Sequence, residues 1–465
     1  MTAKKIIFSS ILSIVIGFSS CDDMDFLIRK DESLALINDS IQTEQHLKLL
    51  MLGAYQSLSG SNIMGGTMFV ATDNLADDAG YSGATFEWVQ IREHTMNFFN
   101  PVGRNAWNNS YSTINYANQA AYSDISDLIV GENGGIDLKA DAAFIRAICH
   151  FHLVRLFAKP YSSETKDDAG VILRLRGFTT LKQVAEGIAP RATIEQVYEQ
   201  VITDLKFADE NLPENRTISD GMGTSDAAKA LLAKVYFYKG DMANVVEYAG
   251  KLINDNGRYA LDTDIMAKFA RASTPGITTK EVIFMHPSRD VSSDSWGGVR
   301  GSYNPSSGTA QYFPSADLLA AYDPDKDIRF NLFYKEDSRV QGGWQTRKYD
   351  YPNMDAIVIA YNELILYYAE ALAEQNNLSG AVGWLNKIEE RAYGSAQTST
   401  ANGKDNIINA IRKERRLELA LQGERLFELK RIKTSAIRGD AWNSGKLLFQ
   451  IPDTEQNGNP GIELN

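Results

Sequence analysis

The chain has 465 residues, 44% hydrophobic and 23% charged, an ordinary globular balance that excludes wholesale disorder. Its 47 basic and 59 acidic side chains leave a net charge of −12, and no run of Lys or Arg offers a phosphate backbone a basic stripe, so nucleic acid is not expected as a partner. Two Cys and five His are too few for a disulfide framework or a His-rich metal enzyme.

Lys4 and Lys5 precede an apolar run from Ile6 to Phe18, of signal-peptide length and short of a comfortable bilayer span. The run ends at Phe18-Ser19-Ser20-Cys21, which resembles a bacterial lipobox, with Phe18 where Leu is usual. Residues 1–20 therefore read as a lipoprotein signal peptide, Cys21 as the acylated residue and residues 21–40 as its tether. The acidic cluster Asp22-Asp23-Met24-Asp25 resembles the surface-export signal of Bacteroidetes-type lipoproteins. That resemblance implies a lipid-anchored, surface-exposed place on the outer membrane.

Residues 41–465 read as one all-α-dominated domain with long loop insertions around 60–104 and 256–355. Helical pattern is expected over 41–59, 105–125 and 137–158. At 193–212, Thr193 is a good N-cap with Gln196 in capping-box register, and Ile194, Val197, Tyr198, Val201, Ile202, Leu205 and Leu212 recur at helical spacing. Residues 225–254 and 361–390 read as helical hairpins that align at an offset of 136 positions. Ala369 falls on Ala233, Leu372 on Tyr236, Asn376-Asn377 on Gly240-Asp241, Ala381 on Val245, Trp384 on Tyr248 and Ile388 on Leu252. Small residues on the first helix let the second approach closely, which is the logic of an interrupted tetratricopeptide (TPR) repeat. A last helical stretch is expected at 405–432.

Few residues point to catalysis. His150 and His152 lie two apart on a helix and face different ways, and Cys149 sits in an apolar pattern as an inert buried thiol. Asp323-Pro324-Asp325-Lys326-Asp327 resembles the start of an EF-hand loop, but Ile328 replaces the required Gly and Tyr334 the bidentate Glu, so turn and helix-cap duty is expected. No GxSxG, P-loop, HExxH or Rossmann fingerprint occurs. No catalytic residue, metal or cofactor is expected, and an enzyme is the main rival class.

The aromatic content is high: 21 Tyr, 20 Phe and 6 Trp. A sugar ring packs its C–H face on an aromatic plane while its hydroxyls seek polar partners at the rim. The loop candidates are Tyr81, Phe86 and Trp88, with Asp73, Asn74 and Asp78 nearby, and later Trp296, Tyr303 and Trp344. Trp107, Trp384 and Tyr236 fall in helical patterns and read as core.

Four blocks of sequence resemble one family. Trp107, Tyr111, Ile114 and Asn118 match the W…Y..I..N helix of the SusD/RagB-like outer-membrane nutrient-binding lipoproteins. Ala140 to Ala147, continuing through Phe151, Leu153, Val154 and Phe157, is similar to that family's AEARFLRA…F.LVRLF helix. Asn362 to Glu370 followed by Ala371 resembles its xEVLLxYAEA segment. Glu414-Arg415-Arg416, Glu418-Leu419, Gly423, Arg425, Leu429 and Arg431 resemble its ERRxEL…GxRxxDLxR helix, with Glu428 where Asp is common.

The resemblance implies four TPR-like helical pairs carrying irregular loops that build a ligand surface. It also implies a non-catalytic role as a lid: capturing an oligosaccharide or peptide for a SusC-like TonB-dependent transporter beneath it. A glycan is the preferred ligand and a peptide the alternative; an adhesion protein or a glycan-active enzyme are other classes. Arg146, Arg415, Glu418 and Arg425 stand at apolar helix positions and read as scaffold ion pairs.

Overall fold

The computed structural model describes residues 41–465 apart from 65, 132–133, 215, 255–256, 271–278, 288–296, 305–308, 352–353 and 398–402. The signal segment, Cys21, the tether and Trp296 lie outside the described residues. The frame begins with α1 (Glu44–Leu58), α2 (Thr67–Leu75), α3 (Phe86–Arg92), α4 (Pro101–Ala121), α5 (Ile136–Phe157) and α6 (Ile194–Asn211). It continues with α7 (Ser225–Lys239), α8 (Met242–Ile253), α9 (Tyr361–Glu374), α10 (Leu378–Tyr393), α11 (Lys404–Glu418) and α12 (Arg425–Arg431).

Local chemistry sets the helix ends. The Thr193 hydroxyl accepts from Gln196 N at 3.2 Å while the Gln196 side chain accepts from Thr193 N at 2.9 Å, so the expected capping box forms. α4 starts earlier than the pattern suggests because Asn100 caps it and Pro101 opens it, a position where a missing N–H costs nothing. The two aligned hairpins turn alike: Gly240 and Asn376 both take positive φ, at 84° and 64°. The next residues, Asp241 and Asn377, cap the second helix of each hairpin. Ala233 and Ala369 are fully buried, which is the close approach that small residues permit.

α1 packs on α4, α4 on α5, α5 on α6, α6 on α7, α7 on α8, α8 on α9 and α9 on α10, with α11 against both α9 and α10. Among the described residues this is an all-α-dominated, TPR-like array of four pairs: α1/α4, α5/α6, α7/α8 and α9/α10. α5 runs through its middle and is buried along almost its whole length. Arg146 of α5 is held by Asp204 of α6 at 2.6 and 2.8 Å and by the Asn118 side-chain oxygen at 3.0 Å.

The short strands belong to the insertions. β1 (Ala79–Tyr81) pairs antiparallel with β3 (Tyr312–Pro314), Tyr81 opposite Tyr312. β2 (Val282–His286) pairs with β6 (Ala356–Ala360), and β4 (Tyr334–Glu336) with β5 (Trp344–Thr346). Two elements differ from the sequence reading. The 60–104 insertion is not mainly loop, since it contains α2, β1 and α3. α2 is buried on all sides, so it has no polar face and shows no helical period. The 405–432 stretch breaks at Leu421 and Gly423, whose φ values are 60° and 79°.

The C-terminal blocks form buried ion networks. Arg329 reaches Asp327 at 2.8 Å, Glu414 at 2.7 Å and Glu418 at 3.0 Å, and Arg391 joins Glu418 to Glu281. Arg415 spans Glu370 and Glu428. Burial alone would raise the Glu370 pKa, but Arg415, Arg431 and Arg412 hold it down at about 2. Each charge has several partners, the condition under which burial is tolerated.

Candidate functional site

Gly66, at φ 112°, opens α2 where a Cβ would meet the Val299 side chain at 2.0 Å, so the chain enters the helix against another insertion. Asp73 and Asn74 fall on its last turn. Asp73 accepts from Gly423 N at 3.1 Å and from the Tyr303 hydroxyl at 3.3 Å. Burial, and then the charge of Asp78, push its carboxyl well above the usual range. Four residues on, Asp77 takes a bidentate pair from Arg425 at 2.7 and 2.8 Å. Asp78 binds Arg416 at 2.7 Å. The foot of the first insertion is thereby fastened to the α11–α12 junction.

Beyond the foot, β1 and β3 join the two insertions and gather their aromatic rings. Tyr81 lies 4.7 Å from Tyr312 and 6.5 Å from Trp88, Trp88 stands edge-on to Tyr312 at 5.3 Å, and Tyr303 lies 6.0 Å from Tyr312. Asn74 donates to the Trp88 carbonyl at 3.4 Å. The structure thus brings Asp73, Asn74, Tyr81, Trp88 and Tyr303 into one cluster. Asp78 is turned away toward Arg416, and Trp344 stands in a second group, edge-on to Phe330 at 5.0 Å.

Exposure divides these candidates. Asp73, Asn74, Asp78, Tyr81 and Tyr303, expected to meet ligand from loops, are at most 3% exposed and therefore lie beneath the surface in this structure. The reason is tertiary: α2 is an interior helix, and β3 covers the ring of Tyr81. Trp88 and Trp344 remain half-buried. Phe86, two residues before Trp88, is 72% exposed. The sequence reading passed over Tyr312 and the exposed pair Phe98 and Phe99, whose rings lie 4.3 Å apart. Their signal was two adjacent aromatics just ahead of the Asn100-Pro101 helix start. Two polar atoms in the cluster, Tyr312 Oη and Asn74 Oδ1, are buried without a hydrogen-bond partner among the described residues.

Other motifs resolve into structure. His150 and His152 are buried, and burial, followed by the neighbouring Arg charges, lowers both to about 3, so both are neutral. Asp327 caps the helix Ile328–Phe333 and Asp323 accepts from Asp325 N at 3.2 Å, the turn and cap duty expected. Among the described residues, no group of three His, Cys, Asp or Glu is placed to hold a metal ion. No described helix is long and apolar enough to cross a membrane.

Two family descriptions match the sequence: "Starch-binding associating with outer membrane", over residues 25–237, and "SusD family", over residues 333–463. The chain is 28% identical to SusD-like protein P2 of Formosa agariphila, across 93% of this chain and 91% of that one. Its fold is similar to that of a SusD superfamily protein from Bacteroides thetaiotaomicron, with a TM-score of 0.74 and 23% identity, covering 91% of this chain and 100% of the other. A solved SusD-like carbohydrate binding protein from Bacteroides vulgatus gives a TM-score of 0.74 at 18% identity, covering 90% and 97%.

Proposed function

Because the chain belongs to the SusD/RagB-like family, we propose that it is a surface lipoprotein that captures a glycan and passes it to a SusC-like TonB-dependent transporter. Its role in this reading is non-catalytic, and acylated Cys21 anchors it to the outer membrane. The outer-membrane and starch-binding description of the matched family supports this reading, as does the carbohydrate-binding name of a relative with the same fold.

The observation that carries the ligand assignment is the meeting of both insertions at Tyr81, Trp88 and Tyr312, with Phe86 projecting into solvent beside them. Trp88, Phe86 and Trp344 are the proposed contacts. Asp73, Asn74, Asp78, Tyr81 and Tyr303 set the shape of the surface from below, and Trp296 is retained as a further candidate.

The test is migration of the protein spanning residues 22–465 through gels containing different polysaccharides. Retardation by one glycan is expected, reduced at least tenfold in apparent affinity by Trp88→Ala and by Phe86→Ala. Phe86 is exposed, so its variant folds whatever Trp88 does for packing. Undiminished retardation in both variants would remove this surface as the site, and retardation by no glycan would favour a peptide.

A further inference from the structure

A groove lies away from the loop aromatics, between α4 and an extended strap at residues 171–178. The strap is fixed by side chains of the helices beneath it. The Tyr111 hydroxyl donates to Ile172 O at 2.9 Å, Asn118 to Arg174 O at 3.0 Å, and Arg146 to Leu175 O at 3.1 Å. Gly177 lets it lie flat, since a Cβ there would sit 2.4 Å from Gln119 N. The groove is open to solvent on one side and offers about 460 Å³, within the range of small-molecule sites.

The groove's polar groups are unevenly spent. Asn108 and Asn115 use their side-chain oxygens, accepting from Thr454 Oγ1 at 3.1 Å and Phe178 N at 2.9 Å, and among the described residues their amide N–H groups are left over. Glu455 accepts from the Trp107 indole at 3.2 Å and retains lone pairs for a hydroxyl. Arg174 stands over the Phe178 ring at 5.4 Å and gives one Nη to Gly187 O. It has no carboxylate partner among the described residues, whereas Arg146, Arg155, Arg329, Arg391 and Arg415 all do. Its Nε and second Nη form an unspent two-pronged donor, the geometry that suits an oxyanion.

We propose that this groove is a second saccharide site, selective for a sugar unit bearing an oxyanion, either a uronate carboxylate or a sulfate ester. Arg174 grips the oxyanion, the amides of Asn108 and Asn115 bind ring hydroxyls, and Phe178 and Tyr111 flank the ring. The proposal rests on the saccharide reading above but uses none of its contact residues.

The test titrates the full lipidated chain in detergent with trigalacturonate, galactotriose 6-sulfate and neutral galactotriose, following Trp fluorescence and heat. One of the two acidic trimers is expected to bind, and its identity separates carboxylate from sulfate. Arg174→Met is expected to weaken that binding at least tenfold, Arg174→Lys to restore it only in part, and Ser112→Trp, at an exposed position on the groove wall, to block it. Trp88→Ala is expected to leave it unchanged. No binding of either acidic trimer, equal binding of the neutral one, or indifference to Arg174→Met would each overturn the proposal. If glycan retardation in gels persists meanwhile, the proposed function stands without this second site; loss of both would end both readings.

Discussion

Asp73 shows how a residue's surroundings override its chemical type. An acid whose folded pKa is raised above its unfolded value binds its proton more tightly when folded. Its ionisation therefore costs stability above the ordinary value of 3.8 and costs nothing well below it. Asp73→Asn keeps an acceptor for Gly423 and removes the charge. Its melting temperature is expected to equal or exceed that of the parent at pH 7, with the difference vanishing as the pH falls below 3.8. A clear fall at pH 7 would mean that the charge itself holds Gly423 and Tyr303 in place. This role was not legible in the sequence, where an Asp-Asn pair among loop aromatics suits a sugar as well as a buried helix end. Arg415, Glu418 and Arg146 were legible, because a charge at an apolar helix position has few uses other than a satisfied buried pair.

At the scale of elements, the α11–α12 break tests the fold most sharply. Gly423 takes a φ of 79°, and a Cβ there would lie 2.7 Å from the Phe69 backbone. Gly240 has a similar φ of 84° but faces open space. Gly240→Ala is expected to cost about 1 kcal/mol, the left-handed penalty alone. Gly423→Ala adds a collision with backbone that cannot rotate away, and several times that loss is expected. Urea midpoints measure both, and equal losses would show that α2 shifts freely against the junction. Amphipathic helices such as α6, α8 and α10 were readable from their spacing, since one face meets water. α2 was not readable, because a helix covered on every side carries no alternation of polar and apolar residues.

Across the whole molecule, the last residues hold together elements from the first third. Phe449 N donates to Leu156 O at 3.0 Å, Asn465 Nδ2 to Phe157 O at 2.7 Å, and Asp453 N to Phe98 O at 3.2 Å. Leu447, Leu448, Phe449 and Ile451 are all buried, at roughly 1.5–3 kcal/mol per side chain. Deleting residues 447–465 is therefore expected to destabilise the chain by about 5 kcal/mol or more and to expose Trp107, read as a red shift of its emission. An unshifted spectrum with unchanged stability would mean that the helical array closes without this segment. The repeat offset made the array legible in the sequence. The proposed ligand surface was legible only to the segment, because the partner that buries Asp73, Tyr303, stands 230 positions away.

The foot of the first insertion has a further consequence. Asp73, Asp77 and Asp78 are tied to Gly423, Arg425 and Arg416, so the frame grips this insertion below its outermost stretch. A different outer segment, running from residue 82 to 99 and so replacing α3, and matched to the β3 side, could be grafted onto the same three ties without rebuilding α2, α11 or α12. The architecture separates a fixed chassis from an exchangeable face, and under the proposed function new specificities would arise by recutting that face alone.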